Sequence, residues 1–314
     1  MISPGEPLAW AVFAVLIAAM LAVDLGIFHR RAHVVGVREA AVWSAIWISV
    51  ALLFNLGIYA RCGSDRALEF FQAWLIEKAL SVDNLFVFLA AFSFFAVPAH
   101  LQHRVLFWGI LGALLTRGLF IVIGAALLTA FHWVTYVFGG FLVITAVQMI
   151  VASDEPEHPE RNPVLKLVRR FVPVTQDYEG SRFFVRRDGR RWATPLLMVL
   201  VAIEASDVVF AVDSIPAVFG VTRDVFIVYT SNIFAVFGLR ALCFLVASLM
   251  RRLHLLKPAL AFVLAFVGGK MLIADRFKIS DRVSLLIVGG LIGGAAILSL
   301  LLPARSGDGD ADGS

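Results

Sequence analysis

Two strongly apolar stretches of this 314-residue chain carry carboxylates that lipid does not accept: Ile76-Glu77-Lys78-Ala79-Leu80-Ser81-Val82-Asp83-Asn84, and Ile203-Glu204-Ala205-Ser206-Asp207 running on to Ala211-Val212-Asp213-Ser214-Ile215-Pro216. A carboxylate at the centre of a bilayer is disfavoured by about 2.5–3.5 kcal/mol on insertion scales, so Glu77, Asp83, Glu204, Asp207 and Asp213 left unpaired would cost about 12–18 kcal/mol. That matches the whole stability of a typical domain, about 5–15 kcal/mol. The five acids must therefore face a protein interior, with bases, water or a metal ion as partners.

The bilayer enters because 60% of the residues are hydrophobic, only 16% are charged and the mean hydropathy is +0.88, a composition foreign to soluble domains. Apolar runs near the length that spans about 30 Å of hydrocarbon lie at roughly 7–28, 39–60, 68–95, 105–128, 132–152, 193–219, 225–249, 258–275 and 283–302. The expected fold class is all-α: a polytopic membrane protein of about nine transmembrane helices. The first run has no basic stretch before it, and Arg30 and Arg31 follow it, so it reads as a retained helix and not a cleaved signal. Cys62 and Cys243 fall in a loop end and a predicted helix, which offers neither a disulfide framework nor a CxxC metal site.

Basic residues set the expected orientation. With nine spans and the N-terminus outside, the inner loops hold most of the arginines, including Arg30, Arg31, Arg104, the run from Arg161 to Arg191, Arg251 and Arg252; the outer loops hold only Arg61, Arg66, Arg223, Arg276, Lys278 and Arg282. The positive-inside rule favours that assignment and places the C-terminus in the cytoplasm. The formal net charge of +4 is thus a topology signal, and nucleic acid is not an expected partner. Residues 1–152 form an N-terminal membrane half and 193–302 a C-terminal half. The hydrophilic segment 153–192 between them reads as a cytoplasmic linker with a short hairpin around Asp188-Gly189, or as a regulatory or metal-sensing surface. Residues 303–314 form an acidic tail expected to be disordered; its alternating Asp and Gly lack the closing Glu and flanking helices of a calcium loop.

The acidic spans open two parallel series of landmarks. Thr116-Arg117-Gly118 and then Phe138-Gly139-Gly140 follow the third span; Leu239-Arg240-Ala241 and then Val267-Gly268-Gly269 follow the sixth. Asp83 precedes Arg117 by 34 positions and Asp207 precedes Arg240 by 33, while the step from Arg to Gly-Gly is looser, 22 against 28. The third span runs inward and the sixth outward in the expected topology, so spans 3–5 and 6–8 read as an inverted 3+3 repeat. Secondary transporters of that design bind their cargo near the midplane, at the repeat interface.

On a regular helix Glu204 and Asp207 share a face, whereas Asp213 and, in the third span, Asp83 lie six positions beyond their partners and point elsewhere. Pro216 would change that by breaking the helix and freeing the Val212 carbonyl beside Asp213; the plainer reading is a kink with Asp213 satisfied by Arg240 or water. Glu77 is expected near the outer end of its span, neutralised by a lysine. Lys78, Arg117, Arg240 and Lys270 supply four positive charges against the five acids, a balance that admits a cation or protons and equally suits a static salt-bridge network. The candidate metal ligands are Glu77, Asp83, Asn84, Glu204, Asp207, Asp213 and Asn232, with Ser206 and Ser214 as further oxygens. Oxygen donors of this kind suit Mg²⁺, Ca²⁺ or Mn²⁺ over Cu⁺ or thiolate-bound zinc. Exchangeable protons on the carboxylates make protons a candidate coupling ion. No Walker lysine motif, nucleophile elbow or HExxH occurs in the sequence, so no enzyme activity and no resident cofactor are expected.

Leu75 to Val87, Glu204 to Ala217, Thr230-Ser231-Asn232-Ile233-Phe234-Ala235 and Gly238-Leu239-Arg240-Ala241 together resemble the TerC/Alx family of bacterial integral membrane proteins, over most of the chain from the first span to the ninth. The resemblance implies a cytoplasmic-membrane protein of metal-ion homeostasis, most often manganese export, with a historical link to tellurium resistance. It carries the family's acidic motif onto Glu77, Asp83, Asn84, Glu204, Asp207 and Asp213. The expected function is a secondary Mn²⁺ exporter with its site between helices 3 and 6. The rival expectations are an oxyanion transporter built on Arg117 and Arg240, and a membrane scaffold that moves no ion. The sequence does not fix the oligomeric state.

Overall fold

The computed structural model describes residues 7–28, 37–151, 173–187, 189–239, 242–243, 255–277 and 279–301. The helices among them are α1 (Pro7–Phe28), α2 (Val37–Cys62), α3 (Ser64–Phe94), α4 (Ala99–Ala130), α5 (Val134–Val151), α6 (Pro195–Phe219), α7 (Val225–Val236), α8 (Leu256–Leu272) and α9 (Asp281–Leu301). The chain is a predominantly helical, polytopic membrane protein: α2, α4, α5, α6 and α9 each contain a stretch long and apolar enough to cross a membrane. Helix α3 is longer than most, at 31 residues, but carries Glu77, Lys78 and Asp83 along its middle.

Chain chemistry explains where these helices stop. Gly63, at φ +89°, turns α2 directly into α3. At the other end of α3, Val97 N donates to Phe92 O at 2.8 Å and Ala96 N to Ser93 O at 3.1 Å, the paired bonds of a Schellman ending. Ala96 sits there at φ 49°, a left-handed position usually given to glycine, and Pro98 then forbids continuation. Thr194 and Pro195 open α6, with proline in the first turn where its missing donor costs nothing. Asp224 caps α7 by accepting from Phe226 N at 3.0 Å and Ile227 N at 3.3 Å.

Helix α3 is the hub, packed against α2, α6, α7, α8 and α9; α4 lies against α6 and α7, and α5 lies along α8. Each helix divides its faces between lipid and bundle. On α4, Leu115 and Leu119 are 71% and 60% exposed, while Arg117 between them is wholly buried. An aromatic cluster closes one side, where Phe54 of α2, Phe70 of α3 and Phe226 and Phe234 of α7 stack with Phe13 of α1. The two Gly-Gly landmarks meet each other: a Cβ on Gly139 would lie 2.9 Å from Gly268 O, and one on Gly268 would lie 2.7 Å from Gly139 O. Small residues permit this backbone contact in lipid, where apolar burial alone gives helices little reason to associate.

Two expectations about helix continuity are corrected. Pro216 does not break α6, which stays helical to Phe219; the proline still withholds an amide from the Val212 carbonyl, but the helical path continues through it. The run expected to be continuous over 225–249 is instead interrupted at Phe237-Gly238, with Gly238 at φ +86°. The linker hairpin is present as β1 (Phe184–Arg187) and β2 (Arg190–Ala193), antiparallel about Gly189 at φ +73°. It rests on the α3–α4 corner through Tyr178 Oη donating to Phe95 O at 2.7 Å, and Arg104 Nη1 donating to Ser181 Oγ at 2.9 Å. Residues 152–172 of the linker and the tail from 302 on lie outside the described residues.

The glycine contact makes a testable distinction within one dipeptide. Gly268→Val drives a side chain into the α5 backbone and should destabilise the protein by about 1–3 kcal/mol, the usual cost of overpacking. Gly269→Val meets open space and should leave thermal unfolding in detergent close to native; equal losses in both variants would refute the contact.

Candidate functional site

Four helices meet at one guanidinium. Arg117 of α4 donates from Nε to Asp207 Oδ2 at 3.3 Å and from Nη2 to Asp207 Oδ1 at 3.1 Å, a two-point grip on α6. Its Nη1 donates to Glu77 Oε1 of α3 and to Asn232 Oδ1 of α7, the latter at 3.2 Å. Arg117, Glu77 and Asn232 are fully buried, and Asp207 is 3% exposed. A planar guanidinium with five fixed donors can serve three acceptors from three directions, which an ammonium on a flexible stem does less well.

The cluster is incompletely satisfied. Glu77 Oε2, Asn232 Nδ2 and, on α6, Ser214 Oγ are buried without a hydrogen-bond partner among the described residues. The three ionisable groups carry two negative charges and one positive. Two buried carboxylates on one guanidinium, one with an oxygen unpartnered among the described residues, are costly unless a neighbouring cation such as the Lys78 ammonium, or a proton, offsets the excess. Glu77, Asp207 and Asn232 thus offer a hard cation the oxygen donors it prefers, provided it shares them with Arg117 or displaces it.

The other predicted residues are placed differently. Glu77 is not neutralised by its neighbour Lys78, because consecutive residues point about 100° apart on a helix; Lys78 Nζ instead donates to Ala235 O at 3.1 Å and Phe237 O at 3.3 Å. Lys270 lies at the end of α8 and pairs with Asp281 at 3.3 Å, remote in role from the buried acids. Glu204, half-buried, packs against Gly112 of α4, where a Cβ would collide with its carboxylate. Asp213 accepts a long hydrogen bond from Thr145 Oγ1 of α5 at 3.4 Å. Asn84 is buried, at 2% exposure. The side chains of Asp83 and Asp24, and all of Arg240, lie outside the described residues. Among the described residues, no three of His, Cys, Asp and Glu converge as a ready metal cage.

Sequence reading missed Gly112 as the seat of Glu204 and Thr145 as the partner of Asp213. The signal for the first was available in Gly109-x-x-Gly112, since both glycines face α6, at Ile203 and Glu204. For Thr145 no local signal exists, because the contact joins residues 68 positions apart.

Comparison with known proteins places this geometry among relatives. The model of the integral membrane protein TerC family matches residues 62–306. A membrane protein of Myxococcus xanthus, STKORF319, is 49% identical over 310 residues, covering 99% of this chain and 97% of its own. Alx of Escherichia coli (strain K12), named as a candidate membrane-bound redox modulator, is 46% identical over 297 residues, 92% of each chain. A membrane protein of Rickettsia felis is 39% identical over 294 residues, 94% of this chain and 98% of its own. No solved structure matches the chain.

Removing the shared base should expose the cost of the cluster. Arg117→Gln leaves Glu77 and Asp207 buried without their counter-charge and should cost about 3–5 kcal/mol of stability, as for other broken buried pairs. Adding Asp207→Asn to that variant should restore part of the loss in detergent unfolding curves; strict additivity of the two substitutions would show that the pair does not interact.

Proposed function

The chain belongs to the integral membrane protein TerC family, and from that premise we propose that it is a secondary transporter that exports a divalent metal cation, Mn²⁺ foremost, through the Glu77–Asp207–Asn232 cluster. The observation that carries this reading is the pair of buried carboxylates that share one guanidinium, with Glu77 Oε2 unpartnered among the described residues. A cation entering the cluster takes carboxylate oxygens that Arg117 holds in its absence, so the guanidinium acts as a resident counter-charge that keeps the empty site folded. Asn84, Glu204, Asp213 and Ser214 are proposed to line the approach.

The transport cycle is read as rocking of an inverted repeat, α3–α5 against α6–α8, within a topology of nine spans that puts the N-terminus outside and the C-terminus in the cytoplasm. Packing supports the repeat. Exchanging α3 with α6, α4 with α7 and α5 with α8 turns the α3–α7 contact into the α4–α6 contact and the α5–α6 contact into the α3–α8 contact, and all four are present. The reciprocal approach of Gly139 and Gly268 has the same symmetry. Mn²⁺ is preferred over Mg²⁺ on the family's association with manganese; the oxygen donors alone suit both. The oxyanion reading loses support because Arg117 is already bound to two carboxylates, whereas an anion path needs unpaired positive charge.

Mn²⁺ flux into proteoliposomes, followed with an internal fluorescent indicator, tests the proposal. Asp207→Asn balances the remaining Glu77 and Arg117, so the protein should fold while flux falls by about tenfold or more, the equivalent of about 1.4 kcal/mol in site affinity. Native flux should survive excess Mg²⁺. Undiminished flux in Asp207→Asn would refute the site, and absence of flux from folded native protein would favour the scaffold.

A further inference from the structure

The hairpin between the two membrane halves pairs like charge with like. Strands β1 and β2 run antiparallel so that Arg186 lies opposite Arg191 and Arg187 opposite Arg190, and all four side chains are exposed. Directly opposed residues of such a pair stand about 5 Å apart at Cβ, where equal charges destabilise the sheet. From Arg182 to Arg191 the sequence holds five arginines against one acid, Asp188. Among the described residues only Arg187 of the four has a carboxylate partner, Glu179, which precedes β1. A two-stranded sheet is marginal by itself, so a tip that also repels itself calls for an anion that the described chain does not provide.

The seat of the hairpin narrows what that anion is. Helix α4 has 32 residues and rises about 48 Å, about 18 Å more than the hydrocarbon it crosses, so about six residues at each end stand among headgroups. Arg104 belongs to the first of these stretches. Trp108, one turn further in, is 43% exposed, the depth and residue type of an interfacial aromatic belt. Both meet the root of the hairpin: the Arg104 guanidinium lies over the Phe183 ring at 5.3 Å, and the Trp108 ring meets Phe183 edge-on at 6.4 Å. The hairpin is therefore seated at the boundary of the membrane.

Polarity along β1 follows the leaflet. Phe183, Phe184 and Val185 at the root give way to Arg186 and Arg187 at the tip, apolar beside the hydrocarbon and cationic beyond it. Strand alternation puts Phe184, 53% exposed, on the face that carries Arg186 and, across the ladder, Arg191. One ring and two guanidiniums are thus offered to the same surface. Four residues of strand extend about 13 Å. A headgroup layer of about 5–7 Å plus one Debye length of about 8–10 Å covers that reach, so the tip stays within the field of the leaflet. Guanidiniums bind phosphate through two parallel hydrogen bonds. The corner is also short of acceptors, because Trp192 Nε1 and Arg104 Nε are buried with no hydrogen-bond partner among the described residues.

We propose that the β1–β2 hairpin is a docking surface for anionic phospholipid headgroups of the adjoining leaflet. Arg186, Arg190 and Arg191 bind the phosphates, and Phe184 and Trp108 anchor beside them at the interface. The leaflet around α4 brings phosphates to this depth in any case, whereas a soluble anion has to be drawn from solution. Each arginine held near an anionic surface favours it about fivefold, so three give a preference of about a hundredfold over zwitterionic lipid at low salt. Only Thr194 separates β2 from α6, and its Oγ1 donates to Arg182 O at 2.7 Å. Headgroups on the hairpin therefore also fix the depth at which α6 enters the membrane.

Hydrogen exchange of the full-length protein in nanodiscs tests the proposal, with phosphatidylcholine alone compared with phosphatidylcholine mixed with phosphatidylglycerol. In the native chain phosphatidylglycerol should slow exchange over residues 182–193, and rising salt should weaken the effect. Arg186→Gln, Arg190→Gln and Arg191→Gln combined should abolish the slowing, as an affinity about a hundredfold weaker requires. That variant should unfold thermally like the native protein in phosphatidylcholine, since it loses only exposed charges. Lysine at the same three positions keeps the charges and should retain most of the slowing. Arg61→Gln, Arg276→Gln and Arg282→Gln combined, on other loops, should retain all of it. A native hairpin indifferent to phosphatidylglycerol overturns the proposal, and so does slowing that survives the three glutamines or is lost equally with the other three arginines. Equal slowing by glycerol phosphate added to phosphatidylcholine discs would make this a site for free phosphate esters. Protection in phosphatidylcholine alone that vanishes on removal of residues 303–314 would give the arginines to the chain's own acidic tail. Either of these results also overturns the lipid assignment.

Discussion

The bundle depends on a single guanidinium. Arg117 enters from α4 and binds acceptors on α3, α6 and α7, so the relative positions of four helices are fixed by one side chain. Lipid offers little hydrophobic reward for bringing helices together, and polar contacts take over part of that work. Yet an aliphatic stack would hold the same helices without desolvating three charged groups, and buried ion pairs are often no more stabilising than well-packed apolar replacements. The ion cluster is therefore better understood through what it can exchange than through the stability it lends. Its carboxylate oxygen, unpartnered among the described residues, points the same way.

Small residues make the charged contacts possible. Gly112 leaves room for the Glu204 carboxylate on α6, a Cβ on Gly109 would lie 3.3 Å from Ile203, and one on Gly118 would lie 3.2 Å from the Tyr229 ring of α7. All three stand on α4, the helix that also presents Arg117, so the faces that bring α4 close to α6 and α7 are lined by absent side chains. At the other end of the architecture Gly139 and Gly268 let α5 and α8 touch backbone to backbone. Close approach at both places holds polar groups within reach of one another and away from lipid.

Much of this was legible in the sequence because membrane cost is local. An acid or base inside an apolar run marks itself, and Glu77, Asp207, Arg117 and Asn232 were all singled out before their contacts were known. The Gly-Gly pairs were visible for the same reason. Partner choice was less legible: Glu77 and Lys78 are neighbours in sequence but belong to different contacts, and Lys270, grouped with the buried bases, binds Asp281 at a helix end. The position of the break was misread because proline is the obvious helix breaker. Pro216 leaves α6 helical to Phe219, while Gly238 interrupts the next helix, held in place by Trp47 of α2 and Lys78 of α3, neither of which is close to it in sequence.

Two tethered cations thus occupy the membrane interior of this protein in different ways. Arg117 is bound to full negative charges and cannot release its proton, so it can only be displaced as a body when a metal ion competes for its oxygens. Lys78 is bound to carbonyl dipoles of α7, at Ala235 O and Phe237 O, and to no carboxylate among the described residues. Their separation onto α4 and α3, with both reaching α7, ties that interrupted helix to two neighbours by side-chain contacts on either side of one turn.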